Sequence, residues 1–296
     1  MAKVKLAAVN FLTAPDKAAN LAQFQTYIDK AAAENVNILV FPELSLTGMH
    51  PQLSMMEVNQ PSARYFYDNA ELVPEGPSVQ TLIGLAKQYD MYLAWSMVEA
   101  DPVYTYRFYN TEVLVGPEGF VGKYRKIHQP GTERMTLNAG EELPVFDTKY
   151  GKVGLQICFD KMFPEGTRCL RMQGADIILI STAWPAIQKA EDDSWMLLYK
   201  ETAKLRAAEN SVVWVEASNV SPAEQQEYVE CGHSCILGPD GSVKATTGFE
   251  EGVAVAELDP AEEIHASESL FVINRAMMDI RPDLYAKYYE DYDLKR

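Results

Sequence analysis

The chain reads as a mixed-sheet α/β layered sandwich, and three observations carry that prediction. Strand-like apolar runs alternate with segments of helical period, the pattern of sheets covered by helices. Turn chemistry at Pro117-Glu118-Gly119 and Pro239-Asp240-Gly241 interrupts the alternation with hairpins, so antiparallel pairs join the parallel ones. Of the 296 residues, 47% are hydrophobic and 23% charged, which is enough apolar surface for a large core. No low-complexity tract or linker divides the sequence. One domain is expected over residues 1–296, with 259–296 as a C-terminal tail.

Residues 5–11 form the first predicted strand. The lysine-flanked apolar run at the start is short, has no convincing cleavage site and is followed by Pro15, so it is not read as a signal peptide. Leu21, Phe24, Ile28 and Ala31 recur at helical spacing and predict a helix over 16–34. NILVF (37–41) is continuously apolar, as a strand covered on both faces must be, and it runs into Pro42-Glu43. That leaves a carboxylate at the C-terminal rim of a sheet, where ligands bind in α/β proteins. Residues 48–77 form a long irregular connection rich in Met, Tyr and Pro, of the kind that shapes a pocket or meets a partner. A helix over 78–89 and strands over 91–98 and 109–115 follow. GKYRKIH (122–128) then gathers four cations in seven residues when its histidine is counted.

The centre of the sequence is GKVGLQICFDKMFPE, residues 151–165. Val153, Leu155 and Ile157 alternate as one buried face of a strand. The strand ends at Cys158, and Pro164 and Glu165 open a helix, since Pro is tolerated in the first turn. Free backbone N–H groups at such a junction stabilise thiolate and oxyanion alike. A buried structural cysteine is the commoner case for a lone Cys in a strand, so this segment alone does not decide for catalysis. Beyond it a helix is predicted around 165–173 and a buried strand over 176–181. A helix over 193–210 and strands over 211–217, 234–237, 242–245 and 253–258 complete the prediction.

Charge and cysteine usage narrow the function. A formal net charge of -16 argues against non-specific binding to nucleic acid or to an anionic membrane. No apolar stretch approaches the roughly 18–20 residues of a membrane span. Cysteines at 158, 169, 231 and 235 make no disulfide framework, so a cytoplasmic protein with reduced thiols is expected. Cys231-Gly232-His233-Ser234-Cys235 lacks the second ligand pair that a tetrahedral site needs, so no metal is expected.

Glu43, Lys126 and Cys158 each lie at or near a strand end, and together they supply a base, a fixed cation and a nucleophile. FPELSLTG around Glu43, GKYRKIH around Lys126 and GLQICFDKMFPE around Cys158 resemble the three signatures of the nitrilase superfamily, the carbon–nitrogen hydrolases. The match continues in family order through Trp184, the run LRAAENSVVWVEASN ending at Asn219, GHSCILGPDG and RPDLY. The resemblance implies an α-β-β-α four-layer sandwich, with Glu, Lys and Cys meeting at one rim. It also implies a homodimer or higher homo-oligomer whose tails reach the partner. A second supporting glutamate is carried to Glu133, which stands before Gly140 as the family's does.

The resemblance and the chemistry imply one mechanism. Glu43 takes the Cys158 proton, the thiolate attacks a carbonyl, and Lys126 with the Phe159 backbone N–H stabilises the oxyanion. Glu43 returns the proton to the leaving amine, and water releases the acid from a Cys158 thioester. Lys126 stays charged between two carboxylates. No cofactor is required. His128 reads as structural. Asp160 resembles the amidase and carbamoylase branches, because true nitrilases tend to carry Trp-Glu directly after the cysteine. A linear amide or an N-carbamoyl compound is the expected substrate, with nitrile hydrolysis, acyl transfer and a non-catalytic scaffold as alternatives. Lys161, or a cation such as Arg107, Arg134 or Arg168, could meet a substrate carboxylate. Trp184 either walls the acyl pocket or packs the core, and Asn219 is a further candidate substrate contact.

Overall fold

A computed structural model describes residues 3–48, 61–131, 133–269, 279–290 and 292, without the side chains of 61–64. The first half of the chain builds one sheet. Strand β1 (Val4–Asn10) leads into helix α1 (Lys17–Ala33) and strand β2 (Ile38–Val40). Asp16 caps α1 by accepting from the Ala19 N–H at 3.0 Å, which satisfies one of the orphan donors of a helix start. Phe24, Tyr27, Ile28 and Ala31 then fall on one buried face. Helices α2 (Pro61–Asn69) and α3 (Pro77–Tyr89) precede strands β3 (Tyr92–Ala100), β4 (Phe108–Gly116) and β5 (Gly119–Arg125). The β4–β5 hairpin turns at Gly119, whose φ of +117° excludes an ordinary side chain.

The second half repeats the plan. Strands β6 (Val145–Thr148) and β7 (Gly151–Ile157) are followed by helix α4 (Pro164–Met172), strand β8 (Ile177–Thr182) and the short β9 (Pro185–Gln188). Helix α5 (Ser194–Asn210) leads to strands β10 (Val213–Ser218), β11 (Glu227–Glu230), β12 (Cys235–Leu237) and β13 (Val243–Thr246). Strand β14 (Gly252–Leu258) then returns to the first sheet, and helices α6 (Pro260–Ser269) and α7 (Pro282–Glu290) follow.

The sheets have the orders β14-β1-β2-β3-β4-β5 and β13-β12-β10-β8-β7-β6. In each, three central strands run parallel (β1-β2-β3 and β10-β8-β7) and antiparallel strands flank them. The sheets pack face to face. Leu6, Ile38, Val40 and Leu114 from one meet Leu155, Ile157, Leu179 and Val215 from the other. On the outer face of the first sheet, Phe24 and Leu82 cover Leu39, Leu93 and Val113. On that of the second, Leu170, Ala203 and Ala207 cover Ile178, Ile180 and Trp214. Burying each Leu, Ile or Val side chain favours folding by about 1.5–3 kcal/mol, so the four layers are held by apolar contact on three seams. The result is the expected α-β-β-α sandwich.

Three short strands went unforeseen. Strands β6, β9 and β11 span four residues each, too few for a period to show. The long connection is also not irregular throughout, because Pro61–Asn69 is helical; its residues 49–60 lie outside the described residues. In the tail, α6 and α7 are helices, with 270–278 likewise outside.

Candidate active site

The candidate functional side chains stand where the two halves meet. Glu43 lies three residues past β2, and its backbone N–H donates to Thr182 O of the second sheet at 3.3 Å. Lys126 is the residue after β5 and is tied by its N–H to Asn110 O on β4 at 2.8 Å. Glu133 opens a one-turn 3-10 helix, Glu133–Met135. Cys158 begins a second one, Cys158–Met162, at the end of β7. Its φ is +47°, a conformation that costs a non-glycine residue energy and that recurs at functional sites.

One cation joins this group. Lys126 Nζ lies 2.6 Å from Glu43 Oε1 and 2.7 Å from Glu133 Oε2. Asn110 Nδ2 donates to the same two carboxylates, at 2.7 and 3.0 Å. Ala183 links Glu43 to Cys158: its N–H donates to Glu43 Oε2 at 3.0 Å, and its carbonyl accepts from Cys158 Sγ at 3.3 Å. Phe159 lies in the first turn of its 3-10 helix, where backbone donors lack intrahelical partners.

The charges follow from this geometry. Burial alone would lower the Lys126 pKa, but Glu43 and Glu133 outweigh it and hold the ammonium well above its ordinary range. Burial raises Glu133, and repulsion from Glu43 adds to that. Burial and then the Glu43 charge push the Cys158 thiol far up, despite the attraction of Lys126. At rest the sulfur is therefore a neutral thiol. Glu43 is the carboxylate joined to this thiol through Ala183.

Asp160 fixes the loop from behind. It accepts from the Ile157 N–H at 2.9 Å, the His128 N–H at 3.0 Å and Tyr124 OH at 2.8 Å. His128 Nδ1 sits 2.8 Å from the same carboxylate, and its ring stacks on Phe163, so the histidine is structural as expected.

The candidate substrate contacts need correction. Lys161 was expected to meet a carboxylate, but it is fully buried, 2.7 Å from Glu216 Oε1 and 3.6 Å from the centre of the Tyr199 ring. Its charge is already met inside the protein. Asn219 donates to the Glu43 backbone carbonyl at 2.9 Å and is buried, so it positions the Glu43 loop and presents no open polar group. Trp184 packs with Cys158 in the inter-sheet core and donates to Trp195 O at 3.1 Å. Arg168 is held by Glu209 O at 2.8 Å, Arg134 by Gln129 O at 3.1 Å, and Arg107 lies over the Tyr104 ring. Cys231 and Cys235 are buried, and His233 bonds to Cys231 O and Glu191. Among the described residues no His, Cys, Asp or Glu cluster could hold a metal ion.

Three polar residues were missed. Asn110 and Glu112 alternate with Leu114 on the inward face of a predicted strand, a legible sign of buried polar function. Glu112 is fully buried, and burial, with repulsion from Glu43, pushes its pKa well above the usual range against the opposing pull of Ser181. Glu230 on β11 carried no signal.

Residues 5–266 match the family model described as carbon-nitrogen hydrolase. The chain is 33% identical to Omega-amidase NIT2-B of Xenopus laevis, over 88% of this chain and 90% of that protein. It is 31% identical to a nitrilase of Pyrococcus abyssi, over 94% and 93% of the two chains. Among solved structures, Nit3 of Saccharomyces cerevisiae, a member of branch 10 of the nitrilase superfamily, superposes with a TM-score of 0.79 at 29% identity, covering 91% of this chain and 94% of that one.

Proposed function

Because the chain belongs to the carbon–nitrogen hydrolase family and is an enzyme of that class, we propose that it hydrolyses a linear amide through a thioester on Cys158. The observation that carries this reading is the Ala183 bridge, which holds Glu43 and Cys158 on one residue while Lys126 spans Glu43 and Glu133. As Cys158 Sγ bonds to the carbonyl carbon, its proton passes to Glu43. The developing oxyanion is met by the Lys126 ammonium and the Phe159 N–H. Glu43 hands the proton to the nitrogen, the C–N bond breaks, and ammonia or an amine leaves. Water then gives a proton to Glu43 and attacks the thioester, which frees the acid and restores the thiol. Glu133 and Asn110 keep Lys126 and Glu43 in register.

Primary amides and N-carbamoyl compounds both fit this chemistry, and the ω-amides named for the Xenopus relative fall within it. A nitrile is the second reading, favoured by the likeness to the Pyrococcus nitrilase. Ammonia release from primary amides, N-carbamoyl amino acids and nitriles, compared between wild type and Cys158→Ala, tests both. Cysteine-dependent release from an amide or carbamoyl compound supports the first reading, and release from nitriles alone supports the second.

We also propose a cytoplasmic homodimer or larger homo-oligomer. The free thiols support a reducing compartment. Exposed Trp195, Leu198 and Leu205 on α5 offer apolar surface for a second copy, and the tail over 259–296 is the segment proposed to reach it. Light scattering after gel filtration tests the assembly. No helix among the described residues is long and apolar enough to cross a membrane.

A further inference from the structure

Glu230 is a carboxylate that the proposed chemistry leaves unused. It ends β11, which pairs with β9 in a two-stranded ribbon with Glu230 opposite Pro185. The ribbon starts beside the nucleophile. Ala183, the residue that touches both Glu43 and Cys158, is two residues before Pro185, and the Cys231 N–H donates to Trp184 O at 2.8 Å. The Val220–Cys231 bridge ties the other side of the ribbon to the strand end that carries Asn219, which holds the Glu43 carbonyl. The Glu230 N–H is anchored on Ser221 Oγ at 2.8 Å, but its carboxylate Oε2 is sealed from solvent with no hydrogen-bond partner.

A buried acceptor without a donor is costly, and such a group in a native fold calls for an explanation. Among the described residues no cation pairs with it. Lys126 already faces Glu43 and Glu133, Lys161 is matched by Glu216, His128 lies on Asp160, and Lys189 in the same ribbon points to Glu250 at 2.9 Å. Burial and the charge of Glu43 push the Glu230 pKa up to about 7. The Cys231 N–H bond to Trp184 O and the pairing of Glu230 with Pro185 set this carboxyl in the ribbon next to Ala183, and the nearby Lys126 ammonium is already shared by Glu43 and Glu133. Carboxyl groups there outnumber ammonium groups left to pair with them, so an anionic substituent on the substrate would meet repulsion.

We propose that Glu230 reads the substituent of the reacting amide, selecting a substrate that carries an ammonium or another strong hydrogen-bond donor and turning away dicarboxylate ω-amides. The assignment rests on the amide-hydrolase reading of Cys158. A bound ammonium supplies the missing donor and draws Glu230 into its ionised form, giving a charge-assisted hydrogen bond.

The test compares three amides of similar size: β-alaninamide (cationic), butanamide (neutral) and succinamate (anionic). Ammonia release is followed with wild type and Glu230→Gln. Binding is measured by calorimetry on Cys158→Ala and on Cys158→Ala/Glu230→Gln. The expected order in kcat/KM and in affinity is cation, neutral, anion, with the cation ahead of the neutral amide by roughly tenfold or more. Glu230→Gln should bring the cation-to-neutral ratio close to one. Succinamate as the preferred ligand, or a ratio unchanged by Glu230→Gln, overturns the assignment. Binding in the expected order without cysteine-dependent ammonia release keeps the assignment and defeats the amide-hydrolase reading. Ammonia release with no charge order does the reverse.

Discussion

Two buried lysines stand near the cysteine, and they are arranged differently. Lys161 meets one carboxylate, Glu216, whose other bonds come from Thr182 Oγ1 at 2.7 Å and Trp214 Nε1 at 2.9 Å. Charge is matched one to one, aromatic rings cover the ammonium, and both side chains are fully buried. Lys126 meets two carboxylates and stands beside a thiol, and one of its partners, Glu133, is 14% exposed. A balanced pair has nothing left to offer a ligand. An unbalanced one keeps a carboxylate with capacity to accept a proton. What separates the two lysines is stoichiometry, because both are buried, and the proposed mechanism assigns chemistry only to the unbalanced one.

The sharpest way to break the contrast is Lys126→Met. It removes the cation from the proposed oxyanion site and leaves Glu43 facing Glu133, so turnover should fall by at least about a thousandfold in an ammonia-release assay. Residual activity within tenfold of wild type would put Lys126 in the same class as Lys161. For the structural pair the cost should appear in stability. Lys161→Met strands Glu216 without its partner and should destabilise by about 3–5 kcal/mol in denaturant unfolding, most of it recovered in Lys161→Met/Glu216→Leu. Failure of the double variant to recover would show that the pair does more than balance itself. A smaller loss, about 0.5–2 kcal/mol, is expected for Tyr199→Leu beyond its packing term, since that ring faces the Lys161 ammonium.

The smallest effect concerns pH. The Glu230 carboxyl has a folded-state pKa raised from 4.5 to about 7, so the folded chain holds this proton more tightly than the unfolded chain does. Its contribution is favourable at low pH and is lost as pH rises from about 4.5 through about 7, with no further change above. Relative to wild type, Glu230→Gln should therefore gain stability across that window, by on the order of 1–2 kcal/mol once partial solvent screening is allowed for. Unfolding midpoints at the two ends of the window measure it, and equal differences at both ends would contradict the shift.

What the sequence disclosed depended on whether the signal was local. Glu43 follows a continuous apolar run and Cys158 an alternating one, Lys126 sits in a cationic run after a hairpin turn, and the four-layer fold came with the motifs. The partner of a side chain is a different matter. Nothing near Lys161 announces Glu216, which is 55 positions away and reaches it only because β10 lies beside β8. Asn219 looked like a substrate contact for the same reason, since its tie to the Glu43 carbonyl crosses 176 positions. Asp160 was visible as a branch marker, while its work of holding Ile157, His128 and Tyr124 exists only in three dimensions.

The seam between the two sheets has a consequence for the life of the chain. Glu43, Asn110, Lys126 and Glu133 belong to the half made first, whereas Cys158 and Ala183 belong to the half made second. The acid cluster can therefore assemble around its ammonium before any thiol has been synthesised. The thiol in turn has no base at hand until the later sheet docks and Ala183 bridges the halves. In the proposed mechanism, the thiol therefore gains its base only when the two halves dock.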